Sequence, residues 1–206
     1  MFRKLLVRFR EKEIYHDIIA SLVAALEAKD NYTSGHSERV AFMTYELSKG
    51  LGIEGVELEN IDIAAYLHDI GKIGVPDKVL NKNCKLLPHE WEYIKMHSNI
   101  GFDILSKSNK LKCISKIVLY HHERWDGKGY PQGLSGITIP LGSRIIAICD
   151  SIDAMTSDRP YRKAMCFEEC INEITINIGL MFDPVIVQYI LDNMNTVRVF
   201  LDSKNN

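Results

Sequence analysis

The sequence has no Cys-x-x-Cys pair. Its five cysteines, Cys84, Cys113, Cys149, Cys166 and Cys170, are scattered. That spacing excludes a disulfide ladder and points to a reducing, cytoplasmic compartment with small buried thiols. No apolar run approaches the roughly 20 residues that a membrane span requires, and no cleavable signal pattern is present. Neither sign of charge dominates, since 25 Lys and Arg stand against 27 Asp and Glu. A net charge of -2 excludes a general polyanion binder, so no DNA or RNA partner is expected. An anionic substrate would have to be met by a local basic cluster. Strand pairs, internal repeats and low-complexity tracts are also missing. What remains is helical periodicity, and the expected fold class is all-α.

With 206 residues, 46% of them hydrophobic, the chain can bury a proper core. Residues 1–19 read as an amphipathic extension, 20–195 as the main domain and 196–206 as a tail. In residues 1–13, Arg3, Lys4, Arg8, Arg10 and Lys12 alternate with Phe2, Leu5, Leu6 and Phe9. A helix packed on the domain or on a second subunit, giving a homodimer, is favoured over one lying on a membrane surface.

The chain is organised around Ala64-Ala65-Tyr66-Leu67-His68-Asp69-Ile70-Gly71-Lys72-Ile73-Gly74. Ile61, Ala64, Ala65 and His68 share a helical face, so His68 points inward, and Gly71 is expected to end the helix as a left-handed cap. The same pattern recurs. His36 begins the stripe Val40, Met43 and Leu47, with Thr33 or Ser34 as the expected cap. His97 ends Trp91 and Ile94, and His121 ends Ile114, Ile117 and Val118, with His122 directly after it. Residues 75–80 read as irregular. Asp150 and Asp153 lie in the apolar helix from Leu141 to about Ser157, where unpaired carboxylates would be costly. Further helices run from Phe167 to about Ile178 and from Pro184, capped by Asp183, to Asn193.

One inward histidine is ordinary in a core. Four, each on an apolar stripe, are hard to satisfy without a shared ligand. His36, His68, Asp69, His97, His121, His122 and Asp150 offer five imidazoles and two carboxylates, too many for one ion. They suit two divalent ions with a bridging carboxylate and a water made acidic enough to act as hydroxide at neutral pH, which is the clamp used for in-line phosphoryl displacement. Mixed histidine and carboxylate ligands, in numbers that suit octahedral shells, favour iron or manganese over zinc.

Three stretches then carry a resemblance. They are His68-Asp69-Ile70-Gly71-Lys72-Ile73-Gly74, His121-His122-Glu123-Arg124-Trp125-Asp126-Gly127-Lys128-Gly129-Tyr130-Pro131, and the run from Asp150 through Asp153-Ala154-Met155-Thr156 to Asp158-Arg159-Pro160-Tyr161-Arg162. In this order they resemble the HD-GYP family, a branch of the HD phosphohydrolases, over residues 20 to 195. The resemblance implies an HD-domain helical core with a C-terminal GYP-type helical extension. It implies hydrolysis of cyclic di-GMP to pGpG, and in many members onward to GMP. One metal would be held by His36, His68, Asp69 and Asp150. The other would be held by His97, His121 and His122, with Asp69 bridging. Lys72 would assist at the scissile phosphate, Asp153 would orient the site from behind the ligands, and Arg159 and Arg162 would contact substrate phosphate. Gly129, Tyr130 and Pro131 would form a surface for diguanylate cyclases or other signalling proteins, or a rigid turn bracing the metal-bearing helix.

Tyr32 stands where some members carry a glutamate that recruits a third metal, so two metals are expected. Ile152 and Gly179–Pro184 depart from the family's usual residues without touching an implied ligand. Two rival readings remain: the same chemistry on another cyclic dinucleotide or a nucleoside phosphate, and a slow cyclic di-GMP sensor acting through partners. His16 and His89 read as surface or packing residues, Trp91 and Trp125 as packing residues, and Lys163 as a solvated neighbour.

Overall fold

The computed structural model of the chain describes residues 2–30, 35–158, 163–194 and 198, with residues 2–13 described by their backbone alone. Helix α1 spans Phe2–Glu27, α2 His36–Gly50 and α3 Gly55–Leu67. A 3₁₀ turn over Ile70–Gly74 and a short α4 over Asp77–Leu80 lead to α5 at Pro88–Leu105. Helix α6 covers Lys112–Leu119, α7 Leu141–Thr156, α8 Phe167–Ile176 and α9 Pro184–Asp192. Among the described residues no strand forms beyond an isolated bridge between Ile178 and Phe182, so the all-α expectation holds.

The core lies where α2, α3, α6 and α7 meet. Val40 and Ala41 of α2, Ile61, Ala64 and Ala65 of α3, Ile114 and Val118 of α6, and Ile145, Ile146 and Ile148 of α7 are all buried there. Each fully buried isoleucine contributes roughly 1.5–3 kcal/mol from lost apolar exposure. Ile19 and Val23 seat the C-terminal part of α1 on this core. Asp183 caps α9 as its sequence indicates, its Oδ1 accepting the Val185 amide at 2.8 Å. Among the described residues no helix is long and apolar enough to cross a membrane.

Three local expectations need correction. Residues 75–80 are not irregular throughout, because Pro76 precedes one helical turn. Helix α6 stops at Leu119, so His121 and His122 lie on the turn beyond it. Gly71 is not a left-handed cap: α3 ends earlier and Gly71 lies within the 3₁₀ turn. Its glycine is required by proximity, since a Cβ there would stand 1.8 Å from the His97 carbonyl oxygen and 2.5 Å from the Gly101 nitrogen. The 3₁₀ turn therefore rests backbone to backbone on α5. Thr33 and Ser34 lie outside the described residues, and Gly35 occupies the N-cap of α2 with no side-chain cap. Its amide donates to Glu27 Oε1 at 2.9 Å, which ties the end of α1 to the start of α2.

Candidate metal centre

Each helix delivers its candidate ligands from an end or from the core face. His36 opens α2, His68 and Asp69 follow α3, His97 lies within α5, His121 and His122 follow α6, and Asp150 lies within α7. One device orients three of the rings. Nδ1 of His68 donates to the Ala65 carbonyl at 2.7 Å, Nδ1 of His97 to Ile94 at 2.6 Å, and Nδ1 of His121 to Val118 at 2.6 Å. In each case the acceptor lies three residues back along the same turn. His36 Nδ1 donates instead to Asp153 Oδ2 at 2.8 Å. A carbonyl or carboxylate acceptor fixes the proton on Nδ1 and leaves Nε2 as the inward-facing atom, the tautomer used by metal-binding histidines.

The inward atoms form two groups, His36 with His68 and Asp69, and His97 with His121 and His122. Within each group the candidate ligand atoms lie within 4.8 Å of one another. Asp69 stands between them. Its Oδ2 is 3.4 Å from His68 Nε2 and 3.9 Å from His36 Nε2, while its Oδ1 is 3.5 Å from His97 Nε2. Asp150 joins the first group, its Oδ1 3.3 Å from His36 Nε2. The rings of His68 and His121 approach to 5.3 Å and those of His121 and His122 to 4.0 Å.

Without a cation this arrangement is poorly satisfied. His68 is 0% exposed and its Nε2 has no hydrogen-bond partner. Burial first, and neighbouring imidazoles second, hold His121 far below the usual histidine range and push His122 down to about 3. His97 is lowered chiefly by burial. Those three rings are therefore neutral bases facing one another. Burial also opposes charge on His36, but Asp150 and Asp153 outweigh it and lift its pKa to about 9. Burial likewise works against ionised Asp69, yet Lys72 and the surrounding imidazoles keep its carboxyl well below the usual range. Converging lone pairs, an unpartnered buried nitrogen and a central carboxylate fit divalent cations.

Lys72 Nζ lies 2.7 Å from Asp69 Oδ2 and 3.1 Å from Asp30 Oδ2. Asp153 lies behind His36, with one oxygen on its Nδ1 and its carboxylate also engaged by Arg39, Nε to Oδ1 at 2.7 Å. Tyr130 is turned toward the centre, its ring 4.8 Å from that of His122. Its loop is braced from within: the Tyr130 amide donates to the His122 carbonyl, and the Gln132 amide to buried Glu123 Oε1 at 2.7 Å. A Cβ on Gly129 would meet the Arg124 nitrogen at 2.4 Å, so the loop folds directly onto the His122–Arg124 backbone. Arg159 and Arg162, and likewise Tyr32, lie outside the described residues.

Sequence reasoning missed Asp30, Arg39 and Glu123. Arg39 had a faint signal, one turn after His36 on the same helix. The Trp91 reading fails, since its side chain is 48% exposed rather than packed. Trp125 is partly buried beneath the Arg144 guanidinium. His16, His89 and Lys163 are exposed, as expected.

A helical bundle holding a His-Asp pair at its centre is the arrangement of an HD domain. The chain belongs to the HD domain family, whose model matches residues 21–186. It is 42% identical over 183 residues to a cyclic di-GMP phosphodiesterase of Thermotoga maritima, covering 86% of this chain and 50% of that protein. It is 35% identical to 3'3'-cGAMP-specific phosphodiesterase 2 of Vibrio cholerae, covering 88% of this chain and 35% of that protein. The chain thus spans half or less of the length of these two curated relatives. The solved structure of a cyclic GMP-AMP-specific phosphodiesterase of V. cholerae superposes with a TM-score of 0.69 at 21% identity, over 89% of this chain and 49% of that one, and shows the same fold. The resemblance to the HD-GYP branch stands on this family match and these relatives.

Proposed function

We propose that the centre is that of a phosphodiesterase which opens cyclic di-GMP to pGpG and carries it on to GMP. The observation that supports this most is Asp69, with one oxygen turned to each of two histidine groups. On this reading His36, His68, Asp69 and Asp150 would hold one divalent cation, and His97, His121 and His122, together with Asp69, would hold the other. Iron or manganese suits the mixed ligand set. Bound there, two such ions would supply a nucleophilic hydroxide at neutral pH and positive charge at the phosphate oxygens. Lys72 offsets charge that develops on the attacked phosphate, and Arg159 and Arg162 hold substrate phosphate. Water adds across the phosphodiester. One P–O bond forms, the bond to the ribose 3′ oxygen breaks, and that oxygen leaves as a hydroxyl after taking a proton. The products therefore carry 5′-phosphates. Because Tyr130 faces the centre, partner contacts with a diguanylate cyclase or another signalling protein fall on the exposed Lys128, Gln132 and Gly133 of the same loop.

A second reading exchanges cyclic di-GMP for cyclic GMP-AMP, favoured by the Vibrio relative's stated specificity. The test is anaerobic purification and elemental analysis, then parallel incubation with both dinucleotides and chromatography of the products. Two iron or manganese ions per chain with pGpG or GMP appearing support the first reading, and faster loss of cyclic GMP-AMP supports the second. A full metal complement with both substrates intact would sink the enzyme and leave a nucleotide sensor.

A further inference from the structure

We propose that Asp30 is a positioning residue that fixes Lys72 in its working direction, a role that rests on the phosphodiesterase reading above. Asp30 follows the end of α1 and is only 4% exposed. A buried carboxylate is costly unless paired, and its Oδ2 lies 3.1 Å from Lys72 Nζ. The backbone around it is fastened on several sides. The Asp30 amide donates to the Leu26 carbonyl at 3.0 Å, and the Lys29 carbonyl accepts Asn81 Nδ2 at 3.0 Å. Lys29 Nζ also reaches the Ile73 carbonyl, one residue from Lys72, and lies 3.3 Å from Asp77 Oδ1. The end of α1 is therefore strapped to the 3₁₀ turn that carries the lysine.

This placement solves a conflict of charge. Asp69 serves both histidine groups, and an ammonium attracted by Asp69 alone would settle on it and compete with any cation there. Asp30 supplies a second negative end, so the ammonium is shared between two fixed carboxylates. An ammonium has three N–H donors. With two directed at Asp69 and Asp30, the third is left for a phosphate oxygen. A free lysine samples many rotamers, and a misplacement of about 1 Å at a reacting centre can cost roughly 100-fold in rate.

The variant Asp30→Asn keeps the shape and removes the charge. In the full, metal-loaded chain we expect kcat on cyclic di-GMP to fall about 10- to 100-fold, with KM and metal content little changed. In a Lys72→Met background the same substitution should cost little further turnover, because the proposed role passes through the lysine. A second measurement does not need turnover. The zinc-loaded full chain, uniformly labelled with ¹⁵N, should show a slowly exchanging ammonium resonance that Lys72→Met removes and Asp30→Asn broadens away. Asp30→Glu, which retains the charge, should restore it together with most of the rate. An ammonium signal unchanged in Asp30→Asn, an equal rate loss in the Lys72→Met background, or loss of metal on Asp30→Asn would overturn the assignment. If the wild-type protein leaves cyclic di-GMP intact, the enzymatic reading fails while the ammonium measurement still decides the contact.

Discussion

Two buried polar clusters in this molecule are built from similar materials and end differently. At the start of α9, Asp183 is 3% exposed, and both of its oxygens are used. One accepts the Val185 amide and the other the Arg144 guanidinium, whose Nε donates in turn to the Ile139 carbonyl at 2.9 Å while its plane lies over Trp125. At the histidine centre the outer edges of four rings, His36, His68, His97 and His121, are equally well anchored, but the inner edges are not. His68 Nε2 is buried without a partner and the rings of the second group are neutral bases turned toward one another. The Asp183 cluster is complete within the protein, and the histidine centre is complete only with something added. Burial of polar groups does not by itself mark a functional site. Incomplete pairing of well-anchored groups does.

The contrast can be broken by substitution. Removing an incomplete member, His68→Ala, is expected to lower turnover by about 1,000-fold or more and to reduce metal content, while the metal-free variant still unfolds cooperatively. Elemental analysis, product chromatography and a urea titration check this. Removing a complete member, Asp183→Ala, should do the reverse. Loss of the cap and of the Arg144 partner should cost about 2–3 kcal/mol in urea unfolding, with turnover per folded molecule preserved. Asp153→Asn lies between the two, because it loosens His36 and Arg39 without removing a ligand. Metal affinity measured by competition with a chelating dye should fall roughly 10- to 100-fold.

The smallest effect sharpens the comparison through pH. A raised histidine adds stability in full below its unfolded value of 6.5 and loses it as pH climbs, so His36 contributes least above about 9. His97, His121 and His122 are lowered, so they oppose folding as pH drops below 6.5, where the unfolded chain binds protons that the fold excludes. Metal-free protein should therefore be most stable near pH 6.5 and weaken on either side, by up to about 1.4 kcal/mol per pH unit for each histidine involved. Thermal melts across pH 5 to 10 read this directly, and a profile flat through pH 6.5 would contradict it.

The helices and the inward histidines were legible because both follow from periodicity: a ring that ends an apolar stripe must face the core. What escaped the sequence was set by distance along the chain. Asp30 meets a lysine 42 residues away and Arg39 a carboxylate 114 residues away, and no local pattern encodes such a pairing. Helix α6 read too long because His121 keeps helical spacing, through its bond to the Val118 carbonyl, after the helix has ended. Gly71 was misread for a related reason. A glycine after an apolar helix suits a left-handed cap as well as it suits close contact with another backbone, and only the position of α5 separates the two.

That contact at Gly71 works as a spacer of fixed thickness. The gap between the segment carrying Lys72 and the helix carrying His97 is set by the thickness of two peptide backbones, with no room for a methyl group between them. Substitutions in the surrounding core can change volumes and rotamers without retuning that distance. The segment carrying the lysine and the helix carrying the histidine therefore hold a fixed separation, and a shift of either one carries the other with it.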